Sequence, residues 1–144
     1  MPDAALLVCF DNPQPQREYL IEHVSEEFTS VCPETGHPDF GAVTLQYVPR
    51  HRCIELKSLK LYLQSFRNEG IYYEAVTNKI ADDLTQAMDP VWMQITTDWN
   101  GRGGIRSTVR VEVGGPGQGG AAAGLIDDDD EEFDSPRAGG RRYD

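Results

Sequence analysis

Residues 91–113 read VWMQITTDWNGRGGIRSTVRVEV. Apolar and polar side chains alternate through residues 105–113, which is typical of a β-strand with one buried face. Residues 91–99 alternate in the same way, and the glycine-rich residues 100–104 between them are typical of a hairpin connection. The chain is therefore expected to contain an antiparallel sheet that ends in this hairpin.

Two more strands and two helices are predicted before the hairpin. Residues 17–24 and 41–48 alternate as strands do, and residues 58–66 have the pattern of a short helix. Residues 73–88 carry apolar side chains at three- and four-residue spacing, the stripe of a longer helix that stops before Pro90. The order ββααββ predicts an α+β fold, in which one antiparallel sheet carries two helices on one face.

The length and the cysteine content fit a single folded domain in a reducing compartment. With 144 residues, of which 39% are hydrophobic and 26% charged, the chain has the composition of a globular protein. Its three cysteines are odd in number and lack paired spacing, so neither a disulfide framework nor a four-thiolate zinc site is expected. Residues 4–10 are apolar but too few to span a membrane, and no basic segment of a signal peptide precedes them. We therefore predict a cytoplasmic protein with no membrane partner.

Charge and glycine content divide the chain into a body, residues 1–113, and a tail, residues 114–144. The tail opens with a glycine-rich segment, carries the acidic run 127–132, and holds eight acids against three bases in a chain of net charge −11. Because it lacks the apolar periodicity of a packed element, we predict that the tail is disordered. The body is acidic as well, which argues against direct binding of nucleic acid.

Residues 28–40, FTSVCPETGHPDF, place a lone thiol and an acid on either side of a stiff turn. Proline fixes φ and glycine permits positive φ, so the segment can fold back and bring Cys32 near Asp39. A thiol beside a proton donor is suited to covalent catalysis on an unsaturated carbon. The alternative is a buried structural cysteine followed by an ordinary surface turn.

Together with residues 55–62 (ELKSLKLY) and 65–68 (SFRN), this segment resembles the 7-cyano-7-deazaguanine reductases of queuosine biosynthesis, the short single-domain type of nitrile reductase. The likeness runs from about residue 10 to residue 104 and leaves the tail outside. It implies a tunnelling fold, in which the sheets of several identical subunits join into a barrel. The assembly could be a decamer. The active sites would lie between neighbouring subunits.

The resemblance also implies the reaction, a four-electron reduction of a nitrile to a primary amine by NADPH that requires no metal. Cys32 is implied as the nucleophile that forms a thioimidate, and Asp39 as the proton donor. The implied substrate-binding residues are Ile54, Glu55, Leu56, Tyr73 and Glu74. Glu74 would accept two N–H bonds from the deazaguanine edge, although a glutamate at a helix N-terminus also favours the helix dipole. Many family members have histidine where this chain has Tyr73, and tyrosine is not a proton shuttle near neutral pH.

A cluster of bases gives the cofactor prediction. Five of them crowd into 18 residues of the acidic body, namely Arg50, Arg52, Lys57, Lys60 and Arg67. Such a cluster suits a small phosphorylated ligand, and a solvated helix face is the alternative. The resemblance implies that NADPH binds to Lys57, Ser58, Lys60 and Arg67.

Two alternatives of other classes stay open at this point. The first is a zinc hydrolase of the same fold, resembling the GTP cyclohydrolases, with Cys32 and His37 as ligands; such a site needs three or four protein ligands. The second is a non-catalytic interaction protein whose acidic tail recruits a basic partner.

Overall fold

The computed structural model describes residues 2–114, so the predicted tail lies outside the described residues beyond Gly114. Within this part of the chain, the elements in order are a 3-10 helix Ala4–Leu6, β1 Cys9–Asp11, β2 Ile21–Val31, β3 Pro38–Val48, β4 Arg52–Ile54, α1 Leu56–Gln64, α2 Tyr73–Met88, β5 Trp92–Arg102 and β6 Ile105–Val113. No helix of residues 2–114 is both long and apolar enough to cross a membrane.

Four long strands form one antiparallel sheet in the order β2-β3-β5-β6, and both α-helices pack on one of its faces. Alternate residues of β3 and β5 turn toward the helices and are buried there, among them Val43, Leu45, Tyr47, Met93 and Ile95. The stripe on α2, namely Val76, Ile80, Leu84 and Met88, is fully buried against them. The predicted α+β class, the ββααββ order of the main elements and the placement of the helices are confirmed.

The hairpin between β5 and β6 is tighter than the sequence indicates. Its turn consists of Gly103 and Gly104 with φ of +59° and +82°, backbone conformations that glycine adopts without strain. Residues 100–102, predicted as part of the connection, belong to β5 instead. The pairing shifts register between Trp99 and Arg102, and this irregularity absorbs the extra residues.

The first long strand was predicted too early along the chain. It was expected at residues 17–24 but covers Ile21–Val31, because a second register shift between Ser25 and Phe28 lets pairing with β3 continue past two exposed glutamates. Since β3 also begins earlier, at Pro38, residues 28–40 form a hairpin whose turn is only residues 32–37. The thiol and the acid of the predicted loop therefore sit at the ends of two paired strands.

A second, two-stranded sheet was not predicted. In it β1 pairs antiparallel with β4, so that Phe10 lies opposite Cys53 and Asp11 opposite Arg52. Both strands have three residues, which is too short for an alternating pattern to be recognised in the sequence. Asn12 follows β1 and donates its side-chain N–H to the backbone oxygen of Arg50, which ties the N-terminal segment to the body.

Candidate active site

The turn between β2 and β3 holds Cys32 by hydrogen bonds of its own backbone. The Cys32 N–H donates to the carbonyl oxygen of His37 at 2.9 Å, and the Gly36 N–H donates to the Cys32 carbonyl at 2.8 Å. Gly36 has φ +77°, which a larger residue would adopt only with strain. The thiol is therefore carried on a closed, short turn.

Hydrogen bonds from the same turn stabilise the thiolate of Cys32. The Thr35 hydroxyl, followed by the backbone N–H groups of Thr35 and Glu34, lowers the pKa of the Cys32 thiol, and burial opposes them only in part. A thiol with a lowered pKa has a larger thiolate fraction at neutral pH and is a better candidate nucleophile. Cys32 is 8% exposed, so the residue is largely shielded from solvent.

Asp39 lies near the start of β3 and is 4% exposed. Its Oδ1 atom accepts a hydrogen bond from the Tyr73 hydroxyl at 3.3 Å and lies 3.5 Å from an Arg102 guanidinium nitrogen. Ser30 is its partner on β2, and the buried Ser30 hydroxyl forms no hydrogen bond with any residue of the described part of the chain. The carboxyl group is thus contacted by a phenol and a guanidinium.

These groups line a cavity of about 280 Å³. Its walls come from the β2–β3 turn, the start of α2 and the β5–β6 hairpin: Cys32, Pro33, Asp39, Ile71, Tyr72, Tyr73, Glu74, Arg102, Ile105 and Ser107. Four residues predicted for catalysis or substrate binding therefore meet in one place: Cys32, Asp39, Tyr73 and Glu74. Arg102 and Tyr72 were missed, because a guanidinium in a predicted hairpin turn and a tyrosine before a helix give no functional signal by themselves.

Tyr73 remains a protonated phenol in this cavity. Burial, followed by the negative charge of Asp39, raises the pKa of Tyr73. Its ring stacks on the Trp99 ring, with the centroids 4.0 Å apart and the planes within 8° of parallel. Tyr73 can therefore donate a hydrogen bond, and its ring, supported by Trp99, forms part of the wall beside the acid.

Tyr72, the residue before Tyr73, contacts the turn that carries Cys32. The Tyr72 hydroxyl donates a hydrogen bond to the Glu34 carboxylate, and this bond raises the pKa of Tyr72. The contact joins the start of α2 to the turn that follows Cys32.

A second cavity of about 250 Å³ lies between β2 and α1, and its lining includes three predicted binding residues, Leu56, Lys60 and Arg67. Further polar side chains at this cavity are His23, Ser25, Glu27, Thr29 and Gln64. Burial lowers the pKa of His23, which favours the neutral imidazole there. Of the predicted cofactor residues, Lys60 on α1 and Arg67 after it thus lie at a different cavity from Cys32 within one chain.

Four other predicted site residues line neither cavity. Ile54 is 2% exposed within the core. The Glu55 side chain caps α1 by accepting the N–H groups of Lys57 and Ser58 at 2.9 and 2.8 Å, which lowers the pKa of Glu55. The buried Ser58 hydroxyl donates to the Glu55 carbonyl at 2.8 Å and accepts from the Val8 N–H at 3.0 Å. Lys57 is exposed.

Arg50 and Arg52 lie apart from the other bases of the predicted cluster. Arg52 is on β4, and Arg50 donates to the backbone oxygen of Asp89 after α2.

The ligand set of a metal site is not assembled in residues 2–114, where no three side chains among histidine, cysteine, aspartate and glutamate gather closely enough to hold an ion. His37, proposed as a zinc ligand in the hydrolase alternative, is exposed, and Cys9 and Cys53 belong to the two-stranded sheet.

A four-stranded antiparallel sheet under two helices, with a shielded thiol and a buried carboxyl at one cavity, defines an α+β protein with an enzyme-like site. The family model described as "QueF-like protein" matches residues 38–118. The archaeosine synthase QueF-Like in its apo form has the same fold, with a TM-score of 0.63 over 67% of this chain and 94% of that chain at 24% identity.

Two similar relatives are each named NADPH-dependent 7-cyano-7-deazaguanine reductase. The protein from Chloroherpeton thalassium is 60% identical over 104 residues, which are 72% of this chain and 90% of the relative. The protein from Chlorobaculum tepidum is 57% identical over 106 residues, or 74% and 91% of the two chains. The chain belongs to the QueF-like family, among the NADPH-dependent 7-cyano-7-deazaguanine reductases. The resemblance described from the sequence is confirmed.

Proposed function

We propose that this protein uses NADPH to reduce the nitrile of 7-cyano-7-deazaguanine to the aminomethyl group, through a covalent thioimidate on Cys32. The activity is the one for which its relatives are named. The observation that carries the mechanism is the shared cavity of a thiol with a lowered pKa and a shielded carboxyl group.

In the first step the Cys32 thiolate attacks the nitrile carbon and the nitrile nitrogen takes a proton. One C–S bond forms, one π bond of the C≡N group becomes an N–H bond, and the product is a thioimidate. We assign this proton transfer to Asp39, which lies at the same cavity and is shielded from water: its carboxylate takes the thiol proton of Cys32 and gives it to the nitrile nitrogen. Arginine does not give up its proton, so Arg102 can hold the resulting carboxylate in place.

The later steps reduce the carbon twice and release the sulfur. NADPH, the second substrate, supplies one hydride to the thioimidate carbon and a second hydride to the imine that remains after the C–S bond breaks. Two NADPH and two protons thus convert one nitrile to one primary amine, and Cys32 returns to its starting form. The walls that shield Cys32 also limit water, which would hydrolyse the thioimidate.

We assign recognition of the heterocycle to the start of α2. Glu74 lies in the first turn of that helix and is exposed at the cavity, where its two oxygens can accept two parallel N–H bonds from the deazaguanine. Tyr73 offers a hydrogen-bond donor beside it. Recognition by Ile54 and Glu55 would involve their backbone or an altered α1 cap, since the side chains are buried or bonded to backbone N–H groups.

We assign binding of the ribose 2′-phosphate of NADPH to three basic residues, two on α1 and one in the turn after it. Lys57, Lys60 and Arg67 are exposed, and the last two line the cavity beside β2. The Ser58 hydroxyl is already bonded to backbone groups, so we assign Ser58 a part in shaping the start of α1.

We further propose that several copies assemble in the cytoplasm, with sheets joined edge to edge into a barrel and sites completed by residues of two copies. The described sheet has two outer strands, β2 and β6, whose edges can pair with another sheet. Leu56 and Ile105, on the linings of the two cavities, are 58% and 69% exposed, which fits burial against a neighbour. Light scattering would give the subunit number, and a monomer with full activity would contradict this part of the proposal.

The covalent step is tested by mixing the protein with the nitrile in the absence of NADPH. Intact mass should rise by the mass of one substrate, and Cys32→Ala should abolish both the adduct and NADPH oxidation. Cys9→Ala and Cys53→Ala are matched controls in the two-stranded sheet and should keep the adduct. An adduct that persists in Cys32→Ala would overturn the assignment.

A further inference from the structure

Two buried threonines join α2 to β5 behind the active site. The Thr77 and Thr97 hydroxyl oxygens are 2.8 Å apart, and both residues are completely buried. On one side the Thr77 hydroxyl donates to the backbone oxygen of Tyr73 at 2.8 Å. On the other side the Trp99 indole N–H donates to the Thr97 hydroxyl oxygen at 2.9 Å.

The direction of this chain of hydrogen bonds is fixed by its two ends. An indole N–H only donates and a carbonyl oxygen only accepts, whereas each hydroxyl has a single proton. The Thr77 proton is used on Tyr73, so the bond between the two threonines must use the proton of Thr97. The order is therefore Trp99 to Thr97 to Thr77 to Tyr73, with every polar group satisfied.

The same two aromatic residues that end this chain also meet face to face. Trp99 stacks on Tyr73 with the ring centroids 4.0 Å apart, and the Phe28 and Trp99 rings form a T-shaped pair with a centroid distance of 5.7 Å and an angle of 76°. The ring of Tyr73 is thus held on one side by stacking and its backbone by Thr77. The Tyr73 hydroxyl, at the far end of the ring, is the group that contacts Asp39.

We propose that Thr77 and Thr97 are positioning residues of the active site, which hold Trp99 and Tyr73 so that the Tyr73 hydroxyl fixes the carboxyl group of Asp39. This inference rests on the proposed function of Asp39. The two hydroxyls also bond the Trp99 indole N–H and the Tyr73 carbonyl, so losing either hydroxyl should cost stability as well as position, and the test must separate the two effects. Valine has the shape of threonine, so an apolar version of this contact is sterically available.

The test compares adduct formation without NADPH in Thr77→Val, Thr97→Val and the wild type. A small misplacement of the acid should slow single-turnover adduct formation by roughly 10- to 100-fold, with an unchanged KM for NADPH. Thr77→Ser keeps the hydroxyl and should restore most of the rate. Thr85→Val is the matched control, because Thr85 lies on the same helix and makes the same type of bond, to the Ala81 oxygen.

A double-mutant cycle separates positioning from general loosening of the core. If the threonines act through the Tyr73 hydroxyl, Thr77→Val should add no further loss of rate in a Tyr73→Phe background, while any loss of thermal stability should remain. Wild-type rates in both valine variants, or losses that simply multiply with that of Tyr73→Phe, would overturn the inference. Failure of the wild type to form any adduct would instead refute the proposed function.

Discussion

The reactivity of one sulfur atom depends on a side chain three residues away. The Thr35 hydroxyl makes the largest contribution to the lowered pKa of Cys32. A lower pKa moves the rise in thiolate toward lower pH, so removing the hydroxyl must move that rise toward higher pH.

Thr35→Val should therefore slow adduct formation near neutral pH and shift its pH profile to higher pH, with the rate at alkaline pH approaching that of the wild type. Thr35→Ser keeps the hydroxyl and should retain the original profile. The measurement is the single-turnover rate across pH. A uniform drop at every pH would indicate damage to the turn rather than loss of thiolate stabilisation.

At this scale the sequence predicts part of the candidate site well. Cys32 and Asp39 are close in the chain, so the turn between them was enough to predict that they meet, whereas Tyr73 was implied only by the family resemblance; all three line one cavity. Arg102 comes from a distant strand, and its approach to Asp39 depends on the pairing of β3 with β5 and on the register shift after Trp99. A register shift of this kind has no readable local signal.

At the scale of the elements, β3 and β5 pack so closely at Gly41 that there is no space for a side chain there. A Cβ atom on Gly41 would lie 2.4 Å from the backbone oxygen of Asp98 and 3.1 Å from the Trp99 ring. Backbone cannot move aside as a flexible side chain can, so the strands must separate locally.

Gly41→Ala should consequently lower the free energy of unfolding by about 1–3 kcal/mol, measured by urea denaturation at a fixed protein concentration. It should also slow adduct formation, because Trp99 supports the ring of Tyr73. Gly101→Ala in β5 is the matched control, since its nearest contact would be an ordinary 3.6 Å. Equal stability of the two variants would contradict this account of the strand contact.

Strong periodicity predicts elements well, and interrupted periodicity does not. The helix over residues 73–88 and the strand over residues 105–113 have the predicted bounds, because a continuous apolar pattern marks each of them. β2 was misplaced because Glu26 and Glu27 lie at its register shift and break the alternation. The three-residue strands β1 and β4 are held by pairing across the chain, which no local pattern reports.

For the molecule as a whole, we expect the catalytic domain to end close to Gly114. The last strand ends at Val113, and Val113 packs against the main core. A chain shortened after Gly114 should assemble and reduce the nitrile about as well as the full chain, as judged by size-exclusion chromatography and steady-state NADPH oxidation. A loss above tenfold in kcat/KM, about 1.4 kcal/mol, would assign a part of the site or of an interface to residues 115–144.

The closed turn that lowers the pKa of Cys32 also affects the sensitivity of this thiol to oxidation. A thiolate with a lowered pKa reacts with peroxide to give a sulfenic acid, which a nearby second thiol can trap as a reversible disulfide. Here the other two cysteines belong to the two-stranded sheet, so the turn itself offers no such partner. Oxidation of the free enzyme should therefore advance to irreversible acids, whereas bound nitrile, by occupying the sulfur covalently, should protect it. Bound substrate would then protect the catalytic thiol of the enzyme from irreversible oxidation.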